Sequence, residues 1–198
     1  MEGTVMGRPR GFDADEALER AMRVFWEQGY EGASLTDLTG AMGITKTSMY
    51  AAFGNKEQLF LKALERYKEG PAAYASLALE EPTARGVAEA ILRGAARTTT
   101  LPKTFSGCLT IQGALASSDA NRPAHDVLVD WRNEAGANLE ARFQRAVDEG
   151  DLRPDADPEQ LARYVMTIAF GIAVQASNGL DHAQLDEIVD TTLRTWQP

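Results

Sequence analysis

Between Leu38 and Lys56 the chain carries no Asp or Glu, yet it holds Lys46, Lys56 and the hydroxyls of Thr45, Thr47, Ser48 and Tyr50. Hydroxyls without an adjacent base are weak nucleophiles, so this mixture is ill suited to catalysis. It suits recognition of phosphate oxygens and base edges, which needs cations and short hydrogen-bonding side chains. Thr45, Lys46, Thr47, Ser48 and Tyr50 are therefore the first candidate contacts, with Ala52 leaving room among them. An aromatic at helical spacing is more often core, but the flanking hydroxyls and Lys46 favour phosphate contact for Tyr50. Lys56 alone would be an ordinary exposed lysine. Its place after Phe53-Gly54-Asn55 puts it at a helix start, where a phosphate meets both the ammonium and the free amides.

Other chemistries are poorly supplied. Cys108 is the sole cysteine, so an intramolecular disulfide is excluded, and with two histidines it leaves too few soft ligands for a structural zinc site. Cys108 has no neighbouring cation in the sequence to lower its pKa and reads as a small buried hydrophobe. His125 and Asp126 are consecutive, about 100° apart on a helix, and read as surface residues. No Gly-rich phosphate loop, Gly-x-Ser-x-Gly elbow or His-Glu-x-x-His pattern occurs. The expectation is a protein that is not an enzyme, with no catalytic residue, metal or cofactor.

The candidate contacts must be held by helices. No run alternates with a period of two, whereas helical spacing recurs along the chain, so the fold class is all-α. Asp13 and Glu16 form a capping box that opens a helix from Ala14 to Gln28, with Leu18, Ala21, Met22 and Phe25 on its apolar stripe and Gly29 as its stop. Ser34 and Asp37 repeat the box for a short helix that ends at Gly43. Thr45 caps a third helix, Lys46 to Phe53, and Asn55 a fourth, from Lys56 to the Gly70-Pro71 break. Two short helices joined by a Gly-containing turn over Leu35 to Phe53 satisfy helix-turn-helix geometry, with Met49 and Phe53 facing inward. Beyond the break, helices are expected over Thr83–Thr100, Cys108–Ala116, Asn121–Gly150, Asp157–Asn178 and Ala183–Trp196. The predicted division is a three-helix head over residues 1–54, a linking helix over 55–70 and a larger helical body over 71–198.

Charge supports this division. The whole chain of 198 residues has a net charge of −9, which opposes approach to phosphates. Residues 1–70 hold 9 Lys or Arg against 11 Asp or Glu, net −2, while residues 71–198 hold 11 against 18, net −7. An acidic body thus carries one locally cationic face. The residues before Gly11 lack the apolar core of a signal peptide, and the longest apolar stretch, Val165 to Val174, is far short of the roughly 20 residues that span a bilayer. A soluble, cytoplasmic protein without membrane contact is expected.

Over residues 25–60, FWEQGYEGASLTDLTGAMGITKTSMYAAFGNKEQLF, the Phe-xxx-Gly-Tyr, Gly-Ile-Thr and Tyr-xx-Phe-xx-Lys-xx-Leu spacings are distinctive. In these the chain resembles the TetR-type (TetR/AcrR) bacterial transcriptional regulators. The resemblance implies a DNA-binding head, a linking fourth helix, and a body that binds a small molecule and dimerises. It places base contacts on Thr36, Lys46, Thr47 and Ser48 and phosphate contacts on Ser34, Tyr50 and Lys56. Arg8 and Arg10, before the first helix, are similar to the short basic arms that some members lay along DNA. The Gly107–Leu115 and Gly171–Ala176 stretches resemble one branch of these regulators.

On that fold, the Val165–Val174 helix would line a cavity with one face. Tyr74, Phe105, Gln112, Trp131, Met166, Phe170 and Gln175 become the candidate ligand contacts. The implied function is a homodimeric repressor released from a palindromic double-stranded operator by a small-molecule effector. The dimer is expected through the last two helices, with Ile168, Ile172, Leu185, Ile188, Leu193 and Trp196 at the interface. The alternative is a helical small-molecule-binding protein or enzyme whose head does not bind DNA.

Overall fold

The computed structural model describes residues 11–101, 107–112 and 122–196, and among these the regular structure is entirely helical. Ten helices follow in order: α1 (Ala14–Gly32), α2 (Leu35–Met42), α3 (Lys46–Phe53), α4 (Lys56–Glu69), α5 (Tyr74–Ala78), α6 (Ala84–Thr99), α7 (Leu109–Gln112), α8 (Arg122–Asp148), α9 (Pro158–Ser177) and α10 (His182–Arg194). Side-chain caps fix most of the starts. Asp13 accepts from the amides of Asp15 and Glu16, and Ser34, Thr45, Asn55, Thr83, Asp157 and Asp181 each accept from the amide three residues on.

Two boundaries depart from the sequence expectation. At Gly29 the backbone turns to φ 69° and ψ 175°, yet the chain resumes helical geometry for a further short stretch to Gly32. The five-residue α5 carries no capping side chain, so no local signal announced it. The predicted Cys108–Ala116 helix is described only as far as Gln112.

The apolar side chains gather into two cores. The first joins Phe25 and Met22 of α1, Leu38 and Met42 of α2, Met49 and Phe53 of α3, and Leu59, Phe60, Leu64 and Tyr67 of α4. Phe60 meets Phe25 edge-on at 5.1 Å and Tyr30 at 5.0 Å between ring centroids, so α4 is locked against α1 by aromatic packing. Leu109, Ala124 and Leu128 extend the same core into the body. The second core is formed by α6, α8, α9 and α10, with Leu92, Leu139, Phe143, Val165 and Val189 fully enclosed.

The expected interface side chains are largely used within the chain. Ile172, Leu185 and Leu193 are buried in the second core, and Ile168, Ile188 and Trp196 pack against it. Trp196 lies 6.0 Å from Phe143 between centroids. The expectation overlooked α6, which lies against both α9 and α10 and gives their apolar stripes a partner in the same chain. The outward face of α9 instead carries Tyr164, Thr167, Gly171 and Val174, all exposed. Among the described residues no helix is long and apolar enough to cross a membrane.

Arg142 ties α8 to the turn after α5: its Nε donates to the Leu79 carbonyl at 3.1 Å and an Nη to the Glu81 carbonyl at 2.7 Å. At the junction of the cores, the buried Trp26 indole N–H donates to the Gly107 carbonyl at 2.9 Å, and its ring meets Tyr67 edge-on at 4.8 Å. Replacing Trp26 with Phe strands that buried carbonyl, a loss of about 1–3 kcal/mol in addition to lost ring area. Urea unfolding of W26F should show a lower midpoint with an unchanged slope; an unchanged midpoint would mean that the bond contributes nothing.

Candidate nucleic-acid interface and body cavity

The head presents α3 outward because Met49 and Phe53, four residues apart, are drawn into the first core. That leaves Lys46, Thr47 and Ala51 exposed and Tyr50 49% exposed on the opposite side. Thr45 and Ser48 are partly occupied with each other. The Thr45 hydroxyl accepts from the Ser48 amide at 3.1 Å and donates to the Ser48 hydroxyl at 3.0 Å. Ser48 is half-buried, and Ala52 packs against the core rather than opening space on the outer face, a position that Ala51 takes instead.

Ser34 and Thr36 are exposed at the start of α2. The Ser34 hydroxyl accepts from the Asp37 amide at 3.0 Å, and the same hydroxyl together with the Ser34 amide donates to the Asp37 carboxylate; these two donated bonds hold that carboxyl below its ordinary range. Lys56 is half-buried, with its ammonium 4.5 Å above the Tyr30 ring, and this burial lowers its pKa against the opposing pull of Glu31. Gly54 is required before it. Its φ is 81°, and a Cβ there would lie 1.8 Å from the Gln58 side-chain oxygen that completes the α4 cap. Lys62, which nothing in the α4 pattern distinguishes, stands 5.6 Å over Phe53 and lines a groove with Tyr50 and Leu61. Arg8 and Arg10 lie outside the described residues.

The body holds a partly open cavity of about 100 Å³. Of the seven sequence candidates, Tyr74, Trp131, Met166 and Phe170 line it. Gln175 does not: it is exposed, because Met166, Ala169, Phe170 and Ala173 share the inward face of α9 and residue 175 falls well round the helix from Phe170. Phe105 and the side chain of Gln112 lie outside the described residues. Sequence reasoning missed Tyr67, Thr99, Cys108 and Thr110 on the cavity wall. Tyr67 was hidden by its helical spacing, which reads as plain core.

Cys108 is half-buried, not sealed as a small hydrophobe. Its sulfur lies 3.3 Å from the Tyr67 hydroxyl and 3.1 Å from that of Thr110. The fold also brings Arg132 to the adjoining Thr110, to whose carbonyl it donates at 2.6 Å, and burial lowers the Arg132 pKa against an opposing pull from Cys108. Burial pushes the Tyr67 hydroxyl well above its ordinary range. His125 and Asp126 do meet, at 3.3 Å, but on the exposed start of α8, where unconstrained rotamers bridge adjacent positions. Among the described residues, no three His, Cys, Asp or Glu side chains gather as a metal site.

Residues 17–63 match the profile of bacterial regulatory proteins of the tetR family, and residues 86–192 match the tetracyclin repressor-like C-terminal domain. The chain belongs to the TetR family. The HTH-type transcriptional repressor ComR of Escherichia coli (strain K12) is 33% identical, over 96% of this chain and 91% of its own. The HTH-type transcriptional repressor AcnR of Corynebacterium glutamicum is 31% identical, over 88% and 87% respectively. Among solved structures, a cysteine-substituted form of the TetR family transcriptional regulator CifR, complexed with 26-bp double-strand operator DNA, superposes with a TM-score of 0.91. It is 40% identical, covering 96% of this chain and 100% of that one.

For this TetR-family head, the α2 cap gives a pH-dependent test. A carboxyl whose folded pKa is depressed stabilises the protein above its unfolded pKa, and that stability is lost as pH falls through the folded value. Ser34→Ala removes both the cap on α2 and the bond to Asp37, so it should lower the urea midpoint at pH 7, and the gap to the unaltered protein should narrow as acid protonates Asp37. Urea midpoints measured for both proteins at pH 7 and pH 3 check this. A gap that widens in acid would contradict the assignment.

Proposed function

We propose that this protein is a ligand-responsive, DNA-binding transcriptional repressor rather than an enzyme, and that it works as a homodimer in the cytoplasm. Residues 1–54 form the reading head, 55–70 the link and 71–198 the ligand-binding and dimerising body. The observation that carries this reading is a shared helix. α4 contributes Leu59 and Phe60 to the core on which α3 stands, and its Tyr67 walls the body cavity. A molecule that displaces Tyr67 therefore acts on the helix that seats the recognition surface.

Lys46, Thr47 and Tyr50 are the exposed side chains on α3 with groups able to reach base edges and phosphates, and the short stretch around them carries no carboxylate. Ser34, Thr36 and Lys56 flank them as further backbone and base contacts, and Arg8 and Arg10 would extend the contact along the duplex. The operator-bound CifR structure and the named repressors ComR and AcnR support DNA as the target. Two-fold pairing would set the two α3 helices one duplex turn apart, about 34–36 Å, or a multiple of it, and the site would be palindromic.

For the dimer, the last two helices meet their mates through the outward face of α9. Gly171 has open space where a Cβ would stand, and an exposed glycine within a helix costs about 1 kcal/mol relative to alanine, a cost that close approach of a second helix explains. Tyr164 and Val174, 44% and 40% exposed, lie on either side of it. The effector shifts the population toward a head arrangement that fits DNA less well, through its differential affinity for the two states.

Duplexes selected from a random pool supply the target for testing. Lys46→Ala should weaken binding and reduce the slope of log affinity against log salt by about one unit, while Arg153→Ala, exposed in the turn between α8 and α9, should leave both unchanged. Equal effects, or no duplex selected, would contradict DNA binding through α3. Val174→Asp should move the sedimentation equilibrium toward monomer and weaken operator binding with it; a stable dimer would place the interface elsewhere.

A further inference from the structure

The cavity wall restricts what the effector is. Among the described lining residues the charged side chains are Lys68 and Glu134, whose Nζ and Oε2 lie 4.0 Å apart with both side chains substantially exposed. They neutralise each other where the cavity meets solvent, and neither supplies an unpaired charge inside. Deeper polar groups are mostly engaged. Tyr67, Cys108 and Thr110 contact one another, and the Thr99 hydroxyl donates to the Ala95 carbonyl of its own helix at 2.7 Å. Arg132 is held on the Thr110 carbonyl and does not line the wall.

Tyr74 differs from these. Its hydroxyl makes no hydrogen bond to any described residue, and its ring is fixed by close packing on α6, where a Cβ on Gly94 would lie 2.1 Å from the ring. Burial raises its pKa above the ordinary phenol range, with Cys108 adding to the effect and Arg97 opposing it, so the group stays protonated and able to donate at neutral pH. On a half-buried side chain at the cavity wall, a donor without a partner among the described residues is free to meet a ligand acceptor. Ser76 and Asn138 add polar groups on the exposed side of the wall, and the rest, including Ile91, Met166 and Phe170, is apolar. At about 100 Å³, the space is somewhat smaller than the apolar cavity of about 150 Å³ that holds benzene.

Building on the reading of the body as an effector site, we propose that the cavity takes a small uncharged organic molecule. It is about the size of a five- or six-membered ring and bears one hydrogen-bond acceptor, such as a carbonyl or ether oxygen, that the Tyr74 hydroxyl meets. An anion would find no unpaired cation on the described wall, and a cation no unpaired carboxylate.

The test uses the full chain and four probes of matched size: cyclopentanone, cyclopentane, cyclopentanecarboxylate and cyclopentylammonium. Affinities come from ligand-observed NMR, with displacement by cyclopentanone checking that the probes share one site. Cyclopentanone should bind about three- to tenfold more tightly than cyclopentane and more tightly than either ion. Tyr74→Phe should erase the advantage over cyclopentane while leaving cyclopentane itself unchanged. Tighter binding of either ion, equal binding of ketone and hydrocarbon, or no binding of any probe would overturn the proposal. The comparison among probes on the unaltered protein decides the matter even if the variant does not fold. Operator affinity, measured separately with and without cyclopentanone, distinguishes the two readings. If the ketone binds as described but leaves operator affinity unchanged, the effector's chemical class stands and ligand-responsive regulation fails.

Discussion

The contact of Trp26 with Gly107 and Tyr67 is the constraint on which the rest of the structure depends. Trp26 stands on α1 in the head, Tyr67 on the helix between head and body, and Gly107 at the entrance to the segment that lines the cavity. The indole satisfies the Gly107 carbonyl in a buried setting, and Leu109, Ala124 and Leu128 fill the space behind it. Together with α4, whose Leu59 and Phe60 stand in the head core and whose Tyr67 stands on the cavity wall, this junction links the two cores by packed side chains. With it, a displacement at Tyr67 or Cys108 is borne by packed side chains, which resist small continuous deformation.

The charge distribution fits this arrangement. A net charge of −7 over residues 71–198 disfavours approach of a duplex to that part of the chain, whereas the stretch from Leu38 to Lys56 carries no carboxylate. Arg93, paired with Glu89 of its own helix, also pairs with Asp186 and Asp190 and so joins α6 to α10; such exposed pairs contribute modestly. They hold the wall of the body, whereas the aromatic cluster of Phe25, Tyr30 and Phe60 holds the head.

Much of the head was legible in the sequence because its signals are local. Ser34, Thr45 and Asn55 cap the helices that follow them, and Gly43 and Gly54 take the left-handed φ that their turns need. The outward side of α3 followed from Met49 and Phe53, although Ala52 shows that one position of helical phase separates an exposed residue from a packed one. The cavity was less legible because it depends on contacts between distant segments. Trp131, Met166 and Phe170 could be inferred from an apolar helix, but Tyr67 resembles any core aromatic, and Arg132 reaches Thr110 only once α7 and α8 are packed. The apolar residues of α9 and α10 were assigned to a partner because the reach of α6 across both helices cannot be read from either stripe alone.

The central claim is that two copies of α3 are held by their bodies at a spacing that matches duplex grooves. Pulsed electron paramagnetic resonance measures this, with one spin label per subunit at Glu27→Cys, an exposed α1 position outside the proposed contacts, on a Cys108→Ser background. On a selected duplex, the inter-subunit distance should narrow to one population that places the two α3 helices one helical turn apart, about 34–36 Å, or a whole multiple of it. Absence of a dipolar signal, or a broad distribution that the duplex leaves unmoved, would contradict the account.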